Sequence, residues 1–433
     1  MDYSRFLNAL VQEMEPPVIQ QIFGSTPLDV DRSSSLGMPN PAIFPFSNAT
    51  FTLKDGTRMQ ITEEEMAKAL QYGKTKGFSK LLDLLCKMQC EEHRPPTAAL
   101  GEGPSKMRLL MTPGVQMALL TFGLMCSNGK APILVNVPSF AIVSAPLISA
   151  VSEVLCVDID ADGTNPKSLR ENLSRWTPQD AKNPESGIPR ILWLNPTCNN
   201  PAGVTTSAER RKEIYAIAHE YDLLIVEDDP YYYLQEVMPR VPSYLSLDVD
   251  GRVLRFDSFS KIVSPGLRCG YITGPDAIVK KIEYVYMQGT FHTCVMSQMI
   301  IYKLLKHWGA AGFEDHVQKT VEFNRRKRLH ALAMADKWLI GLAKWNVPPG
   351  GMYILFRVYD TGLTSYELND RLIKLHKVTM APASGFYSRE SQSEGVATLR
   401  VSITMADEES MEKAIKGLGK VIQEARNQTK GKK

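Results

Sequence analysis

Apolar runs and stretches with helical spacing alternate along the middle of this chain. Runs such as residues 191–194 (Ile-Leu-Trp-Leu) and 223–226 (Leu-Leu-Ile-Val) are apolar at every position, which is typical of strands covered on both faces. The alternation predicts an α/β domain with a mostly parallel sheet flanked by helices, whose ligands gather at the carboxyl ends of the strands. Strands are predicted at residues 107–112, 131–136, 154–157, 190–194, 222–227, 252–257 and 269–273. Helices are predicted between them at residues 114–126, 138–150, 166–174 and 207–221.

The two ends of the chain follow other patterns. Residues 1–15 place apolar side chains on one helical face, which predicts a short helix that Pro16 stops. The Pro-, Ser- and Asn-rich stretch to residue 46 is predicted to be an arm lying across another domain or subunit. Further elements are predicted as helices 62–72, 78–90, 312–338, 364–376 and 406–426 and strands 352–358, 377–381 and 397–404. We therefore expect an N-terminal arm (1–46), a large seven-stranded α/β domain (47–305) and a smaller α+β domain (306–433).

Composition limits the partners and the compartment. The 433 residues carry a formal net charge of +3, which is nearly neutral for this length and predicts no nucleic-acid partner. The seven cysteines are odd in number and scattered, which favours a reducing compartment. Cys86 and Cys90 lie four residues apart on a predicted helix, but they lack the second pair that a zinc site needs. No apolar run reaches the roughly 20 residues of a membrane span, and the first residues resemble neither a secretory nor a mitochondrial leader, so a cytosolic protein is expected.

A lysine in a turn between two predicted strands is the strongest chemical signal. Lys261 follows Ser258 and Ser260, and Arg268 comes seven residues later. A lysine amine can bond covalently to a carbonyl cofactor, while serine hydroxyls and an arginine fork suit a phosphate group. The combination predicts a pocket for pyridoxal 5'-phosphate. An ordinary surface turn between strands would show the same local pattern, so the alternative stays open on this stretch alone.

Three further motifs fall where predicted strands end. Residues 195–203 form an Asn- and Pro-rich loop, which is either a plain turn or a source of amide donors to a ligand. Asp228 follows the strand 222–227, where it is either a turn residue or a carboxylate that holds a pyridinium nitrogen. Residues 112–116 open a predicted helix, whose unpaired amides suit a phosphate. The order of these motifs along one parallel sheet favours a single cofactor site.

The chain as a whole resembles the fold-type-I pyridoxal-phosphate aminotransferases, and within them the kynurenine/2-aminoadipate aminotransferases. The resemblance runs nearly from end to end. It rests on residues 1–6, 39–41 with 44–46, 69–72, 199–201 with Gly203, 227–232 and 257–261.

The resemblance implies roles for individual residues in cofactor chemistry. Lys261 would bond to the cofactor aldehyde and later move a proton, Asp228 would pair with the pyridine nitrogen, and Tyr231 would donate to the ring oxygen. These three are the implied catalytic residues. The cofactor-binding residues that it implies are Tyr72, Val115, Gln116, Phe140, Asn200, Asp228, Tyr231, Ser258, Ser260, Lys261 and Arg268. Tyr72 would reach the phosphate of a neighbouring subunit, so the resemblance also implies a homodimer with shared active sites.

The resemblance also implies a substrate side, and the chain departs from the family there. Arg400 would hold the substrate α-carboxylate, and the implied substrate contacts are Gln20, Gly37, Met38, Tyr72, Asn200 and Arg400. Relatives place an arginine where Gln20 stands, a glycine where Leu36 stands, a hydroxyl where Val115 stands and a tyrosine where Phe140 stands. The first two changes remove a cation and add an apolar wall, which favours an aromatic or apolar amino donor over 2-aminoadipate.

Transamination between an L-α-amino acid (aromatic, kynurenine-like, aminoadipate-like or apolar) and a 2-oxo acid such as 2-oxoglutarate is the expected reaction. Elimination, substitution, decarboxylation or cyclisation on the same cofactor would use the same residues and stays open. A non-catalytic regulator built on this fold is a third possibility, but the presence of Lys261, Asp228 and Arg400 argues against it.

Overall fold

The structure, a computed structural model, describes residues 1–18, 21, 37–126, 131–140, 151–183, 185–387 and 395–430. The described helices are α1 Ala9–Gln12, α2 Glu63–Leu70, α3 Ser79–His93, α4 Val115–Cys126, α5 Pro166–Leu173, α6 Ala208–Glu220, α7 Asp276–Gln288, α8 Val295–Leu339, α9 Ser365–His376 and α10 Glu408–Lys430. The described strands are β1 Ala49–Thr52, β2 Arg58–Ile61, β3 Met107–Thr112, β4 Ile133–Val137, β5 Val154–Asp160, β6 Gly163–Thr164, β7 Ile191–Leu194, β8 Leu224–Asp228, β9 Val253–Ser258, β10 Gly270–Pro275, β11 Ala343–Lys344, β12 Tyr353–Tyr359, β13 Ala381–Pro382 and β14 Val396–Ser402.

The predicted α/β class is confirmed, and each strand predicted between residues 107 and 290 is present with its ends shifted by a few residues. Most of the predicted helices are present as well, and the helix predicted at 138–150 lies largely outside the described residues. The chain divides into a first unit, Met1–Asn128 with Leu245–Asp315, and a second unit, Gly129–Tyr244 with His316–Lys433. The division into arm, large domain and small domain stays a prediction.

In the first unit, β10 lies between β3 and β9 and runs antiparallel to both. Gly270 pairs with Thr112 on one side and with Ser258 on the other. Because β3 and β9 therefore run in the same direction, their carboxyl ends meet at one edge of the sheet, on either side of the start of β10. The loops that follow these two strands leave from that shared edge.

In the second unit, β7 lies between β8 and β4, and β5 follows β4 on the far side. The pairs β7–β8, β4–β7 and β4–β5 are parallel, as the continuous apolar runs predict. Among the described strands beside these, the two-residue strand β6 pairs antiparallel with the end of β5. The carboxyl ends of β4, β7 and β8 consequently share one edge, and the next residues along the chain are candidates for a site there.

The second unit also contains an antiparallel sheet in the order β11-β12-β14-β13. Its buried face packs against α9, α10 and the last part of α8, in a core that includes Phe356, Leu399 and Leu418, each fully buried. The pairing register places Leu355 of β12 opposite Arg400 of β14. Arg400 is thus fixed in the middle of a strand with a packed core behind it.

Two local predictions are wrong. Residues 1–15 do not form one helix: a 3-10 turn over Ser4–Phe6 ends at Leu7, and α1 starts anew where the side chain of Asn8 accepts from the amide of Val11. Residues 377–380 do not belong to a strand, because Lys377 takes the left-handed conformation, with φ of 55°, that closes α9. The amide of Met380 then donates to the side chain of Asn369, and only Ala381–Pro382 pair with β14.

The helix predicted at 312–338 is longer than expected, because α8 begins at Val295 and is interrupted at Gly309, where φ is 60° and ψ is −171°. Within the described residues, none of the helices has a segment long and apolar enough to cross a membrane.

Candidate active site

The lysine turn of the first unit leaves the shared edge of β3 and β9. Ser258 is the last residue of β9, and its hydroxyl accepts a hydrogen bond of 3.1 Å from the amide of Ser260. The amides of Val263 and Ser264 both donate to the carbonyl of Phe259, which closes the turn around Lys261. Lys261 is partly exposed within this turn. The fold thus presents the Ser258 and Ser260 side chains and the lysine from one tight backbone loop.

Arg268 lies next to the start of α4 in the same unit. It has φ of 46° and lies two residues before Gly270, where the pairing of β10 begins. A Cβ built on Gly114, where φ is 87°, would approach the Nη2 atom of Arg268 to 2.5 Å. Only a glycine at this position lets the guanidinium lie against the turn that opens the helix. The unpaired amides of the first turn, at Val115 and Gln116, and the arginine together form a cradle for an anion such as a phosphate.

In the second unit, one side chain fastens the loop after β7 to the end of β8. The amide nitrogen of Asn195 donates to the carbonyl of Asp228 at 2.6 Å, and its oxygen accepts from the backbone amide of Asn200 at 2.8 Å. The backbone amide of Phe140, which follows β4, donates to the carbonyl of Asn200 at 3.0 Å. These bonds bring the residues after β4, β7 and β8 together.

Arg400 joins this group from β14. Its Nη1 atom donates to the side-chain oxygen of Asn200 at 2.8 Å. The guanidinium carbon lies 4.5 Å from the ring centre of Tyr353 and 5.3 Å from that of Phe386. Its Nε atom is buried and has no hydrogen-bond partner among the described residues. The arginine is held by neutral groups, and its donor capacity is not used up by the protein.

The buried carboxyl of Asp228 is the second group that can form a further hydrogen bond to a ligand. Asp228 is 4% exposed, and its Oδ1 atom has no hydrogen-bond partner within the part of the chain that the structure describes. Burial, with a smaller contribution from the neighbouring charge of Asp229, raises the pKa of this carboxyl to about 7. A protonated nitrogen placed opposite Oδ1 would satisfy the atom and favour the charged carboxylate.

Tyr231 lies near the same groups, three residues after Asp228. Its hydroxyl donates to the hydroxyl of Tyr353 at 3.5 Å. Burial, and next to it the contact with Tyr353, raises the pKa of Tyr231 well above its usual value, so the phenol keeps its proton and acts as a hydrogen-bond donor.

Each unit thus brings together one part of the predicted site. The first unit gathers Val115, Gln116, Ser258, Ser260, Lys261 and Arg268, and the second gathers Phe140, Asn200, Asp228, Tyr231 and Arg400. Tyr72 lies elsewhere on the first unit, 57% exposed and edge-on to the ring of Phe291. Gly37 and Met38 are exposed, while Gln20 and Leu36 lie outside the described residues.

Sequence reasoning missed three residues that the structure places in the second group. Asn195 belongs to the predicted loop 195–203, but the sequence assigned it no role of its own. Tyr353 and Phe386 had no signal in the sequence, because only the register of β12 and β14 and the turn after β13 bring their rings to Arg400.

Comparison with known proteins identifies the family of the chain. The model of the family described as aminotransferase class I and II matches residues 44–418. The chain belongs to this family. A kynurenine/alpha-aminoadipate aminotransferase of Bos taurus, named as mitochondrial, is 38% identical over 98% of this chain and 100% of the relative.

Solved aminotransferases share the fold. The crystal structure of aminotransferase Aro8 from Candida albicans superposes with a TM-score of 0.85 over 99% of both chains at 24% identity. A kynurenine aminotransferase of Pyrococcus horikoshii, solved in complex with PMP, gives a TM-score of 0.74 over 98% of both chains at 27% identity. The protein is a pyridoxal-phosphate-dependent aminotransferase that acts on amino acids, and pyridoxal 5'-phosphate is its cofactor.

The residues of this aminotransferase fit the cofactor. The partnerless Oδ1 atom of Asp228 matches a protonated pyridine nitrogen, and the cradle of Gly114, Arg268 and the amides of α4 matches a phosphate. When bound, pyridoxal phosphate supplies an aldehyde that takes up the amino group and a ring that accepts electron density from the substrate α-carbon.

The stability of the cofactor-free protein should depend on Asp228. Its pKa in the folded chain is about 7 against an ordinary value of 3.8, so the folded state retains a proton that the unfolded chain releases. The free energy of unfolding should therefore fall as the pH rises through that interval, by at most a few kcal/mol. Asp228→Asn should flatten this dependence, as measured by urea unfolding of the cofactor-free protein between pH 4 and 7.

Exposed Asp83 provides the control for this series, because Asp83→Asn removes a carboxyl without touching the site. Adding the cofactor should flatten the pH dependence of the wild type and leave the slope of the Asp228→Asn curve unchanged. If the free energy of unfolding varied with pH in the same way for cofactor-free wild type and Asp228→Asn, the assignment of a raised pKa to the buried Asp228 carboxyl would be contradicted.

Gly114→Ala should weaken cofactor retention. The added methyl group would displace the Arg268 guanidinium from the start of α4, and we expect the Kd for pyridoxal phosphate to rise about tenfold, or roughly 1.4 kcal/mol. Gly56→Ala is the matched control, because Gly56 has nearly the same φ, 88°, but nothing within 4 Å of the new Cβ. Fluorescence titration of the cofactor-free variants measures both. Equal affinities in the two variants would show that the arginine does not serve the phosphate.

Proposed function

We propose that this aminotransferase transfers the amino group of an L-α-amino acid with an aromatic or apolar side chain, kynurenine included, to a 2-oxo acid such as 2-oxoglutarate. The names of relatives support the class of donor: besides the bovine kynurenine/alpha-aminoadipate enzyme, one in Dictyostelium discoideum is named as an aromatic amino acid aminotransferase. The rings of Phe140, Tyr353 and Phe386 add an apolar lining near Arg400, in keeping with such donors.

One observation carries the assignment of roles: the second unit holds the buried carboxyl of Asp228 and the half-buried Arg400, and neither has a counter-charge among the described residues. Two buried arginines of this unit do have one, since Arg211 pairs with Glu227 and Arg328 with Glu236. A buried charge left without a partner costs several kcal/mol, on the order of 3–5, unless a ligand supplies it. Asp228 is suited to a cationic ring nitrogen, and Arg400 is suited to the α-carboxylate that every amino-acid and oxo-acid substrate carries.

The remaining roles follow from the chemistry of each side chain. Lys261 would hold the cofactor through its aldehyde group, and the Lys261 amine would take the substrate α-proton and return it. Tyr231 donates to the ring oxygen, and Asn200 orients Arg400 through its side-chain oxygen. Phe140 covers one face of the ring. The phosphate is held by Ser258, Ser260, Arg268 and the amides of Val115 and Gln116.

A homodimer with shared active sites completes the proposal. Several apolar or aromatic side chains of the first unit are exposed, including Ile43 at 74%, Phe46 at 63% and Tyr72 at 57%. A second copy of the chain would cover them, and Tyr72 would then reach the phosphate in the partner's site. Gln20, Gly37 and Met38 belong to the arm that contacts the substrate side chain.

The cytosolic location stays a prediction, and the bovine relative is named as a mitochondrial protein. Immunoblotting of fractionated cells would place the enzyme in one compartment or the other.

Lys261→Ala should abolish multiple turnover, because no other amine in the turn can bond to the cofactor. Borohydride reduction of the wild-type enzyme followed by peptide mapping should place the cofactor on Lys261. The exposed Lys280 supplies the control variant, Lys280→Ala, which should keep full activity. Recovery of the cofactor on another lysine would overturn the assignment.

A panel of amino donors tests the reaction and its specificity together. With 2-oxoglutarate as acceptor, kcat/KM should be higher for phenylalanine, kynurenine, methionine or leucine than for 2-aminoadipate, by one to two decades at roughly 1.4 kcal/mol each. Gln20→Arg combined with Leu36→Gly should shift the ranking toward 2-aminoadipate. A clear wild-type preference for 2-aminoadipate would show that the specificity proposal is wrong. Release of ammonia or carbon dioxide in place of a 2-oxo acid would show that the reaction is not transamination.

Mixed dimers test the sharing of sites. Lys261→Ala and Tyr72→Ala chains, unfolded and refolded together, should form hybrids in which one site has both native residues and the other has neither. Activity and cofactor retention per hybrid should reach about half of the wild-type level, whereas each parent dimer stays below it. If Tyr72 served its own chain's site, hybrid dimers would contain no native site and would show no recovery.

A further inference from the structure

Tyr353 contacts both Arg400 and Tyr231 within the described part of the second unit. Its ring lies under the Arg400 guanidinium at 4.5 Å, and its hydroxyl accepts from the hydroxyl of Tyr231 at 3.5 Å. We propose that Tyr353 is a positioning residue with two separable functions: its ring fixes the carboxylate-binding arginine, and its hydroxyl competes for the proton of Tyr231. The inference rests on the roles proposed above for Arg400 and Tyr231.

The contact with Arg400 follows from strand pairing. Tyr353 is opposite Ser402 and Leu355 is opposite Arg400 on the antiparallel strands β12 and β14. Tyr353 and Arg400 are therefore diagonal neighbours on one face of the sheet, within reach of an aromatic ring and a long side chain. A guanidinium that lies over the face of a ring can keep its edge open, and that edge is the part that a carboxylate binds bidentately.

Comparison with Phe386 separates the function of the Tyr353 ring from that of its hydroxyl. Its ring lies 5.3 Å from the same guanidinium, so an aromatic contact with Arg400 needs no hydroxyl. The hydroxyl of Tyr353 instead meets Tyr231, with the two rings edge to face at 5.9 Å and 87°. Both tyrosines are buried, at 8% and 5% exposure. Water is thus largely excluded from the pair, and the two hydroxyls depend on each other and on a ligand.

The direction of this hydrogen bond predicts its effect. Tyr231 is the donor, so Tyr353 takes a share of the proton that Tyr231 would otherwise offer to the ring oxygen of the cofactor. Removing the Tyr353 hydroxyl leaves Tyr231 with one acceptor. A stronger bond to the ring oxygen favours its anionic form, which lowers the pH midpoint of the holoenzyme's visible absorbance change.

Three substitutions at Tyr353 separate the two functions. Tyr353→Phe removes the hydroxyl and keeps the ring, so the pH midpoint should fall by about half a unit while carboxylate affinity stays within about twofold. Tyr353→Leu also removes the ring, and Tyr353→Met replaces the ring with an unbranched side chain about as large as leucine and more flexible. Both should weaken carboxylate binding by roughly fivefold or more. Tyr359→Phe removes a hydroxyl from the other end of β12 and should change neither quantity.

The ligands and a second background make the test specific. Calorimetry on the holoenzyme compares 3-phenylpropionate with its neutral amide, and only the carboxylate should lose affinity when the ring is removed. Spectra recorded against pH compare Tyr353→Phe in wild type with Tyr353→Phe in a Tyr231→Phe background, where it should cause no further shift. If the pH midpoint of Tyr353→Phe is not lower than that of the wild type, the hydroxyl function is wrong. It is also wrong if Tyr353→Phe lowers the midpoint equally in the Tyr231→Phe background.

The ring function has its own decisive outcomes. Unchanged carboxylate affinity in folded Tyr353→Leu or Tyr353→Met overturns it, as does an equal loss for the amide. Wild-type enzyme that binds the amide as tightly as 3-phenylpropionate would instead show that the proposed function of Arg400 is wrong. The failure of this inference is therefore distinguishable from the failure of the proposed function.

Discussion

The hydrogen bonds of the Asn195 side chain hold together the parallel-sheet part of the site. This amide bonds to the end of β8 through the Asp228 carbonyl and to the loop after β7 through the amide of Asn200. The backbone amide of Asn195 in turn donates to the side chain of Asn136 on β4 at 3.2 Å. Each bond contributes about 1 kcal/mol, but a buried amide left unpaired costs about 1–3 kcal/mol, so the network is stable only as a whole. The positions of Asn200 and, through it, of Arg400 depend on that network.

The side chain of Asp228 differs from this network, because one of its oxygen atoms is buried without a hydrogen bond among the described residues. Its Oδ1 atom is buried without a partner in the described structure, and its raised pKa keeps part of the population neutral near pH 7 in the absence of a cation. Such a group destabilises the folded chain on its own and gains its partner from the cofactor. A ligand that binds only the folded state raises the free energy of unfolding by an amount that grows with its affinity. Cofactor retention and folding stability are therefore linked.

Much of the fold could be predicted from the sequence, because strands buried on both faces are apolar throughout and end at loops with distinctive residues. The positions of Asp228, of the Asn-rich loop and of the lysine turn follow from that rule. The break at Asn8 could not, because a single side-chain cap outweighed the apolar periodicity of the first residues. Nor could the place of Tyr353: which cross-strand neighbours meet is decided by the register of β12 and β14, and a shift of one residue would turn every side chain to the other face.

Asp228 and Asp229 show most clearly where reasoning from sequence ends. The two carboxyls are adjacent and both buried, and a pattern of residue types alone cannot say which one serves a ligand. The structure treats them differently. Thr197 donates to Asp229 at 3.0 Å and itself accepts from the buried Arg211 at 2.9 Å, so protein groups stabilise the charge of Asp229. Burial and, to a smaller extent, a negative charge on Asp229 disfavour a charge on Asp228. The buried Arg211 thus acts on Asp228 indirectly, through the Thr197 hydroxyl and Asp229.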